Sequence, residues 1–233
     1  RDIRLVGKVT ADETRTRSED AIIAYSYDEY LTGYDEGHPD MSWPALLPMT
    51  RAAVRAMDTV QDFMANEKPG VPVAVDDFVV TGASKRGWTT WLTGAVDSRV
   101  SAIMPIVIDV LNMDEQINHH YQCYGTFSTA LQDYVDEEVF DRFGTMAADS
   151  LLKIVEPFEY RARLTMPKFI INATGDQFFL PDSSQFYLDQ MPGENRLYFA
   201  PNTDHGLSSS GRLSTESGVY NSIFTYYIAF IND

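Results

Sequence analysis

The chain has 233 residues, 44% of them hydrophobic, and a formal net charge of −16. This length and composition fit one large globular domain with a substantial core. The acidic balance argues against nucleic acid as a partner, because phosphate binding requires Lys and Arg. Cysteine occurs once, at Cys123, which excludes an internal disulfide. No run of about 18 apolar residues appears, so the sequence predicts no membrane span.

Two helices are predicted near the beginning of the chain. Residues 1–17 are expected to form a short extended piece and a loop. Ser18 is expected to cap a first helix that runs through Tyr30. A loop over residues 33–48 then carries Trp43, packed beneath it. The second helix is predicted from apolar residues at three- and four-residue spacing, which are Met49, Ala53, Ala56, Met57, Val60, Phe63 and Met64.

Strands and helices alternate from residue 49 onward, which predicts a parallel sheet with crossover helices. The predicted strands cover residues 77–81, 100–108, 168–174 and 195–200. The further predicted helices cover residues 85–96, 183–190 and 214–230. Segment 100–108 is almost entirely apolar, as in a central strand covered on both faces.

A tight turn between a strand and a helix holds the candidate nucleophile. The run Asp-Phe-Val-Val-Thr-Gly-Ala-Ser-Lys-Arg-Gly-Trp, residues 77–88, indicates a buried strand, a turn with Ser84 at its apex, and a helix. This is the pattern of the nucleophile elbow of α/β-hydrolases. Arg86 takes the second glycine position of Gly-x-Ser-x-Gly, and Gly87 follows it. We therefore expect Arg86 to point outward and the turn to be slightly more open than usual.

An acid and a histidine follow Ser84 in the order that these hydrolases use. Asp176 comes directly after one predicted strand and His205 shortly after the next. A serine hydroxyl needs a base to take its proton, and the base needs an acid to orient it. Because the carboxyl ends of parallel strands share one edge of a sheet, one crevice can hold all three residues. The sequence thus predicts a catalytic triad of Ser84, Asp176 and His205.

Two other carboxylates compete with the first choice of acid. Asp109 ends an earlier strand and is ranked second, and Asp204 adjoins His205 and is ranked third. The backbone N–H of Lys85 is the predicted donor to an oxyanion, and a second donor is not identifiable. Only the last four strands of an eight-stranded hydrolase core are recognisable. We therefore expect the first strands to be absent from this chain.

Several further side chains are candidates for substrate contact. Lys85 and Arg86 are expected to be exposed cations, which either attract a carboxylate or steady the oxyanion, or form a solvated first helical turn. His120, Tyr121 and Tyr124 are candidates for substrate contact, with packing as the alternative. Trp88 and Trp91 are expected in the core. The histidines of segment 118–123 lack the paired spacing of a zinc site, so we expect no metal or cofactor.

Four runs of sequence together resemble the PhoPQ-activated pathogenicity-related proteins, over roughly residues 15–230. They are Arg17–Tyr25, Trp43–Thr50, Val79–Trp88 and Gly175–Phe179. The resemblance implies an α/β-hydrolase-like fold and an exported bacterial protein, with related secreted signalling factors in some eukaryotic microbes. It also places Ser84, Asp176 and His205 at the positions of the family's presumed triad. Residues 1–8 are too polar for a signal peptide, so we expect an export signal to lie upstream or to be already removed.

The sequence thus supports two hypotheses of function. The first is a serine hydrolase that cleaves an ester or amide of a small molecule or peptide through an acyl-enzyme. The second is a secreted signalling or binding protein on a hydrolase scaffold. In both, residues 1–108 and 168–233 form the hydrolase core and residues 109–167 a helical cap. Neither the substrate nor the oligomeric state is predicted.

Overall fold

The structure is a computed structural model that describes residues 17–67, 70, 72–208 and 219–232. Two predictions fall partly or wholly outside these residues: the extended piece before Arg17 and the first turn of the helix expected from residue 214. The described residues form an α/β fold with one parallel sheet and helices against it.

The sheet has four strands in the order of the chain. They are β1 (Phe78–Ala83), β2 (Val100–Ile106), β3 (Lys168–Ala173) and β4 (Asn195–Ala200). Every neighbouring pair is parallel, as the alternation of strands and helices predicts. β2 and β3 are central, and nearly all of their residues are buried. The expectation of further strands before this chain stays a prediction.

The first helix is longer than predicted and begins differently. α1 spans Asp20–Asp35, and its N-cap is Glu19, which makes no side-chain capping hydrogen bond. The prediction that Ser18 caps this helix is therefore wrong. The helix continues past Gly33 to Asp35, so the loop predicted over residues 33–48 is shorter than expected. Trp43 packs edge-on against Tyr25 with ring centroids 6.0 Å apart.

The second helix has less contact with the core than its periodicity indicates. α2 spans Leu46–Asp62, and a π-helical segment, Phe63–Glu67, extends it. Met57 is buried, as its position in the apolar stripe predicts. Val60 and Phe63 are exposed by 43% and 51%. Periodicity thus identified the helix but overestimated how much of its apolar face is covered.

α3 (Lys85–Val96) connects β1 to β2, and all of its residues from Gly87 to Ala95 are buried. Trp88 and Trp91 are 5% and 0% exposed, which confirms them as core residues. The indole N–H of Trp88 donates to the carbonyl oxygen of Val155 at 2.7 Å. This bond ties α3 to the helical segment between β2 and β3.

Helices and loops fill the segment between β2 and β3, as expected. They are α4 (Met113–Tyr124), α5 (Gln132–Asp136), α6 (Met146–Val155) and the 3₁₀ segments Thr129–Leu131, Phe140–Arg142 and Pro157–Arg163. That they form a separate cap domain stays a prediction. Between β3 and β4 the predicted helix is instead two 3₁₀ segments, Ser183–Phe186 and Leu188–Gln190. The described part of the last helix is α7 (Val219–Asn232).

Candidate active site

Ser84 lies in a strained turn between β1 and α3. Its backbone has φ 55° and ψ −130°, a region that non-glycine residues rarely adopt and that recurs at functional sites. The Ser84 N–H donates to the carbonyl oxygen of Ile106 at 2.8 Å, which fixes the turn to the end of β2. A Cβ atom at Gly82 would lie 2.5 Å from the carbonyl oxygen of Arg86. The turn is therefore tight, and the expectation of a more open turn is wrong.

Gly87 explains how the turn stays tight with Arg86 in the usual glycine position. A Cβ atom at Gly87 would lie 2.5 Å from Cγ2 of Ile108 and 2.8 Å from the Gly82 carbonyl oxygen. Gly87 thus provides the close approach of helix to sheet one residue later than in the usual motif. The Arg86 side chain is 68% exposed, as its predicted outward direction requires.

The structure brings Ser84, His205 and Asp176 into one chain of hydrogen bonds. Nε2 of His205 lies 2.8 Å from Oγ of Ser84. Nδ1 of His205 lies 2.8 Å from Oδ2 and 3.0 Å from Oδ1 of Asp176. With Nδ1 protonated and donating to the carboxylate, Nε2 is left to accept the proton of the serine.

The backbone around Asp176 holds its carboxylate in place. Oδ1 of Asp176 accepts the N–H groups of Phe178 and Phe179 at 2.7 and 3.2 Å. The side chain is only 2% exposed. The His205 N–H donates to Oε1 of Gln177 at 2.9 Å. One turn after β3 therefore orients both the acid and the histidine.

The two alternative acids have other partners. Asp109 is 1% exposed, and its carboxylate accepts hydrogen bonds from the hydroxyl of Tyr187 at 2.5 Å and the amide of Asn172 at 2.7 Å. Burial raises the pKa of Asp109 to about 6, although these two hydrogen bonds oppose the shift. Asp204 instead accepts the N–H groups of Gly206 and Ser208 in its own loop. Asp176, rather than either alternative, contacts the ring of His205, and its role as the catalytic acid stays a prediction.

Lys85 is not the exposed cation that was expected. Its side chain is 13% exposed, and Nζ lies 2.9 Å from Oε2 of Glu19 and 3.2 Å from Oδ2 of Asp20. Its hydrogen bond and charge hold the pKa of Glu19 below its usual range. These ion pairs join the beginning of α1 to the turn that carries Ser84. These ion pairs were not predicted, because no local sequence pattern indicates a partner so distant in the chain.

The backbone of α3 offers the predicted donor to an oxyanion. Lys85 is the first residue of α3, and N–H groups in the first turn of a helix have no acceptor within it. The positive end of the helix dipole adds to the attraction for a developing negative charge. A second donor is not identified among the described residues.

Ser84 opens onto a cavity between the sheet edge and the helices of segment 109–167, here called the Ser84 cavity. Most of its lining side chains are aliphatic or aromatic, among them Tyr27, Trp88, Ile117, Phe140, Phe143 and Phe179. The free space between atoms, its mouth included, is about 860 Å³. The lining residues lie far apart in the sequence, so no motif could have predicted this surface.

The predicted substrate contacts divide into two groups. His120 lines the Ser84 cavity, is 3% exposed, and accepts the Ser128 N–H through Nε2 at 3.1 Å. Burial lowers its pKa. Tyr121 and Tyr124 are exposed by 53% and 55% and do not line the cavity. Arg86 does not line it either, so those three residues contribute nothing to its walls.

No group of three or more metal-ligating side chains occurs among the residues that the structure describes. In segment 118–123, Nε2 of His119 lies 2.9 Å from Oδ1 of Asp182, and His120 points to the Ser128 backbone instead. None of the helices in the described part of the chain combines the length and hydrophobicity needed to cross a membrane.

The sequence matches the PhoPQ-activated pathogenicity-related protein over residues 8–229, nearly the whole chain. The chain belongs to this family. It is 42% identical over 193 residues to autocrine proliferation repressor protein A of Dictyostelium discoideum. The match covers 82% of the chain but only 37% of that relative, so the chain spans little more than a third of its length.

Solved structures with the same fold are esterases and peptidases. Acetyl xylan esterase 1 from Thermoanaerobacterium sp. JW/SL YS485 gives a TM-score of 0.53 at 14% identity, over 86% of this chain and 56% of that one. The acetyl xylan esterase from Paenibacillus sp. R4 gives 0.52 at 13% identity, over 67% and 46%. Acylaminoacyl peptidase of Pyrococcus horikoshii gives 0.52 at 15% identity, over 76% and 27%. These similarities establish an α/β-hydrolase fold for this family member.

Proposed function

We propose that this protein is a serine hydrolase that cleaves a carboxylic ester or amide through an acyl-enzyme. The observation that carries the proposal is the continuous hydrogen-bonded chain from Oγ of Ser84 through His205 to Asp176, with both key distances at 2.8 Å. The strained backbone of Ser84 and the α/β-hydrolase fold support the same function.

The first half of the reaction forms the acyl-enzyme. Oγ of Ser84 attacks the carbonyl carbon while its proton passes to Nε2 of His205. Asp176 stabilises the resulting imidazolium through Nδ1. The backbone N–H of Lys85 donates to the oxyanion of the tetrahedral intermediate. The intermediate collapses when the alcohol or amine leaves with the proton from His205.

The second half returns the enzyme to its resting state. His205 takes a proton from a water molecule, and the hydroxide formed attacks the acyl carbon. The tetrahedral intermediate then breaks the bond to Oγ of Ser84, which recovers its proton from His205, and the acid is released. Each group in the hydrogen-bonded chain therefore acts twice in one cycle.

Active-site labelling tests this proposal directly. A fluorophosphonate should modify the full-length, folded protein at Ser84, and Ser84→Ala should abolish labelling. Ser208→Ala is the matched control, because Ser208 ends the other Gly-x-Ser run of the chain, is buried, and lies outside the hydrogen-bonded chain. Peptide mass spectrometry identifies the labelled residue. Absence of labelling in protein whose folding is verified by circular dichroism would refute the proposal.

A signalling role is the second candidate, because the Dictyostelium relative is named as a repressor of proliferation. Together with this signalling role, we propose that the protein acts outside the cytoplasm, as its resemblance to this family implies. The Ser84→Ala variant separates the two roles. If added protein represses proliferation equally well with and without the Ser84 hydroxyl, signalling does not require hydrolysis. Loss of both labelling and repression in this variant would make signalling depend on catalysis.

A further inference from the structure

The walls of the Ser84 cavity are formed mostly by apolar side chains. Side chains from several separate elements contribute, including Ile108, Ile117, Leu152, Phe140 and Phe143. The free space between its lining atoms, with the open mouth counted in, is about 860 Å³. An acetyl group would leave most of this apolar surface without contact.

The cavity begins where the acyl group of a substrate would be attached. Ser84 is part of its lining, and so are Phe178 and Phe179. The ring of Phe178 lies 4.3 Å from the ring of His205, and that of Phe179 lies 6.1 Å from it. The apolar surface therefore runs up to the two reacting side chains. A group bonded to Oγ of Ser84 would extend directly into it.

The charged groups that line the cavity already have protein partners. Lys85 pairs with Asp20, which also accepts a hydrogen bond from the hydroxyl of Tyr134 at 3.3 Å. Asp109 is held by Tyr187 and Asn172. A substrate carboxylate or ammonium would lose its hydration, and the charged lining groups, whose atoms already have protein partners, would compensate this loss only in part. The net cost is on the order of several kcal/mol. The cavity thus discriminates against both carboxylates and ammonium groups.

Two neutral polar atoms of the lining residues have no hydrogen-bond partner. The amide of Gln116 donates to the carbonyl oxygens of Leu111 and Ser183, both at 3.0 Å, whereas its Oε1 is unpaired. The hydroxyl of Tyr27 is also unpaired. Buried polar atoms without partners are uncommon, and an ordered water molecule and a functional role are among their explanations.

We propose that the Ser84 cavity is the acyl-binding site and selects a bulky, uncharged, aliphatic or aromatic acyl group over acetyl and over charged groups. This inference rests on the proposed serine hydrolase function and specifies its substrate class. The alcohol or amine part of the substrate departs on the side of His205, whose side chain is 17% exposed. Specificity accordingly resides in the acyl half.

A series of p-nitrophenyl esters tests the selectivity on the full-length protein. The acetate, octanoate and 4-phenylbutyrate are neutral, the hemisuccinate is anionic, and the 4-trimethylammoniobutyrate is cationic. Burial of several methylene groups predicts that kcat/KM for octanoate and phenylbutyrate exceeds that for acetate by about tenfold or more. Both charged esters should fall below the acetate. Acetate as the best substrate, or a charged ester that matches octanoate, would overturn the proposal.

A substitution at Ile117 tests whether this cavity causes the selectivity. Ile117 is half-buried on α4 and lines the cavity, whereas the adjacent Asn118 is exposed and does not. Ile117→Trp should reduce the ratio of octanoate to acetate kcat/KM by about tenfold, because the indole occupies the acyl space. Asn118→Trp should leave the ratio unchanged. The ratio is independent of the folded fraction, so partial unfolding cannot imitate the effect. An unchanged ratio in Ile117→Trp would place the acyl site elsewhere.

A binding measurement separates failure of this inference from failure of the hydrolase proposal. Neutral octanamide and the free octanoate anion are added separately to the Ser84→Ala variant and to the Ser84→Ala/Ile117→Trp variant. Saturation-transfer NMR detects their contact with the protein. Octanamide should bind to the first variant and lose about tenfold in affinity in the second, while octanoate binds more weakly than octanamide to both. Binding in a protein that resists fluorophosphonate would refute catalysis and keep the apolar site. No binding of octanamide would overturn the site.

Discussion

Asp176 combines two sets of hydrogen bonds on one carboxylate. It accepts the N–H groups of Phe178 and Phe179 and faces Nδ1 of His205 at 2.8 Å. Asp176→Asn preserves the shape of the side chain but presents an amide donor to the imidazole, which favours the wrong tautomer. We expect kcat for ester hydrolysis to fall by a factor on the order of 10⁴, as in serine proteases with this change.

The neighbouring carboxylate provides the control for that experiment. Asp204 adjoins His205 in the chain but accepts the N–H groups of Gly206 and Ser208. Asp204→Asn changes the same charge in the same loop and should keep kcat within about threefold, since asparagine can also accept in such turns. Equal losses in the two variants would show that Asp176 has no special role.

Glu156 is a buried carboxyl group that receives a backbone hydrogen bond. Its Oε1 accepts the N–H of Met113 at the beginning of α4 at 2.6 Å. Burial raises the pKa of Glu156 to about 7, although that hydrogen bond opposes the shift. Because the folded-state pKa lies above the unfolded value of about 4.3, the folded state binds the extra proton. The free energy of unfolding therefore falls as the pH rises from about 4 to about 7, and this contribution is then constant.

Glu156→Gln keeps an oxygen for the Met113 N–H and removes the ionisation. We expect it to match the wild type at about pH 4 and to exceed it by a few kcal/mol at about pH 8, consistent with a shift of more than two pKa units. Urea unfolding at the two pH values measures the difference. Exposed Glu138 provides the matched control, since Glu138→Gln should give the same small change at both pH values. A Glu156→Gln benefit that is independent of pH would contradict the assignment.

At the scale of elements, the packing of α3 on the sheet depends on its first glycine. A Cβ atom at Gly87 would collide with Cγ2 of Ile108 and with the backbone oxygen of Gly82. The backbone oxygen cannot move without opening the turn around Ser84. We expect Gly87→Ala to lower the free energy of unfolding by about 1–3 kcal/mol, measured in urea, and to reduce activity as well.

Gly94 on the same helix is the comparison for this substitution. Its Cβ atom would lie 3.1 Å from Cγ2 of Ile103 and 3.4 Å from Cδ2 of Leu164, which is less close than the contacts at Gly87 and involves side-chain atoms rather than a backbone oxygen. Gly94→Ala also gains about 1 kcal/mol in helix propensity. The loss of stability should therefore be clearly smaller than for Gly87→Ala. The reverse order would mean that Gly87 is not the point of close approach.

The elements differ in how far the sequence could predict them. Four strands in parallel order followed from their apolar runs and from the helical patterns between them. The segment after Pro181 was different, because a favourable composition at residues 183–190 does not distinguish an α-helix from two short 3₁₀ segments. Burial on α2 was also overestimated, since an apolar stripe does not indicate how much of it a neighbour covers. The order of the strands and helices was predictable from local sequence patterns. The burial of a helix face by residues distant in the chain was not.

At the scale of the whole molecule, the net charge of −16 affects how substrates approach. Its field repels anions, and screening weakens this repulsion as the Debye length falls from about 30 Å at 0.01 M salt to about 8 Å at 0.15 M. We expect kcat/KM for p-nitrophenyl hemisuccinate to rise severalfold over this range. The neutral butyrate ester, measured in parallel, should change by less than about twofold. Equal responses of the two esters would exclude electrostatic repulsion as the cause.

The candidate site was predictable only in part. Ser84, Asp176 and His205 follow strands, and parallel strands gather their carboxyl ends at one edge. The ion pairs of Lys85 with Glu19 and Asp20 were not predicted, and neither was the Ser84 cavity. Those features join residues of α1, α3 and segment 109–167, whose mutual positions depend on tertiary packing. The positions of strand ends predict which residues meet at the edge of the sheet. They do not predict which helices pack over that edge.

The wide separation of the hydrogen-bonded residues has a consequence for the newly made chain. Ser84 and His205 are 121 positions apart. At a synthesis rate of about 5–20 residues per second, the histidine follows the serine by an interval on the order of ten seconds. During that interval the serine has no base and behaves as an ordinary alcohol. The last strand, β4, must pair with β3 before His205 arrives beside Ser84. A ribosome-bound chain that stops before this strand therefore carries the nucleophile in an unreactive form.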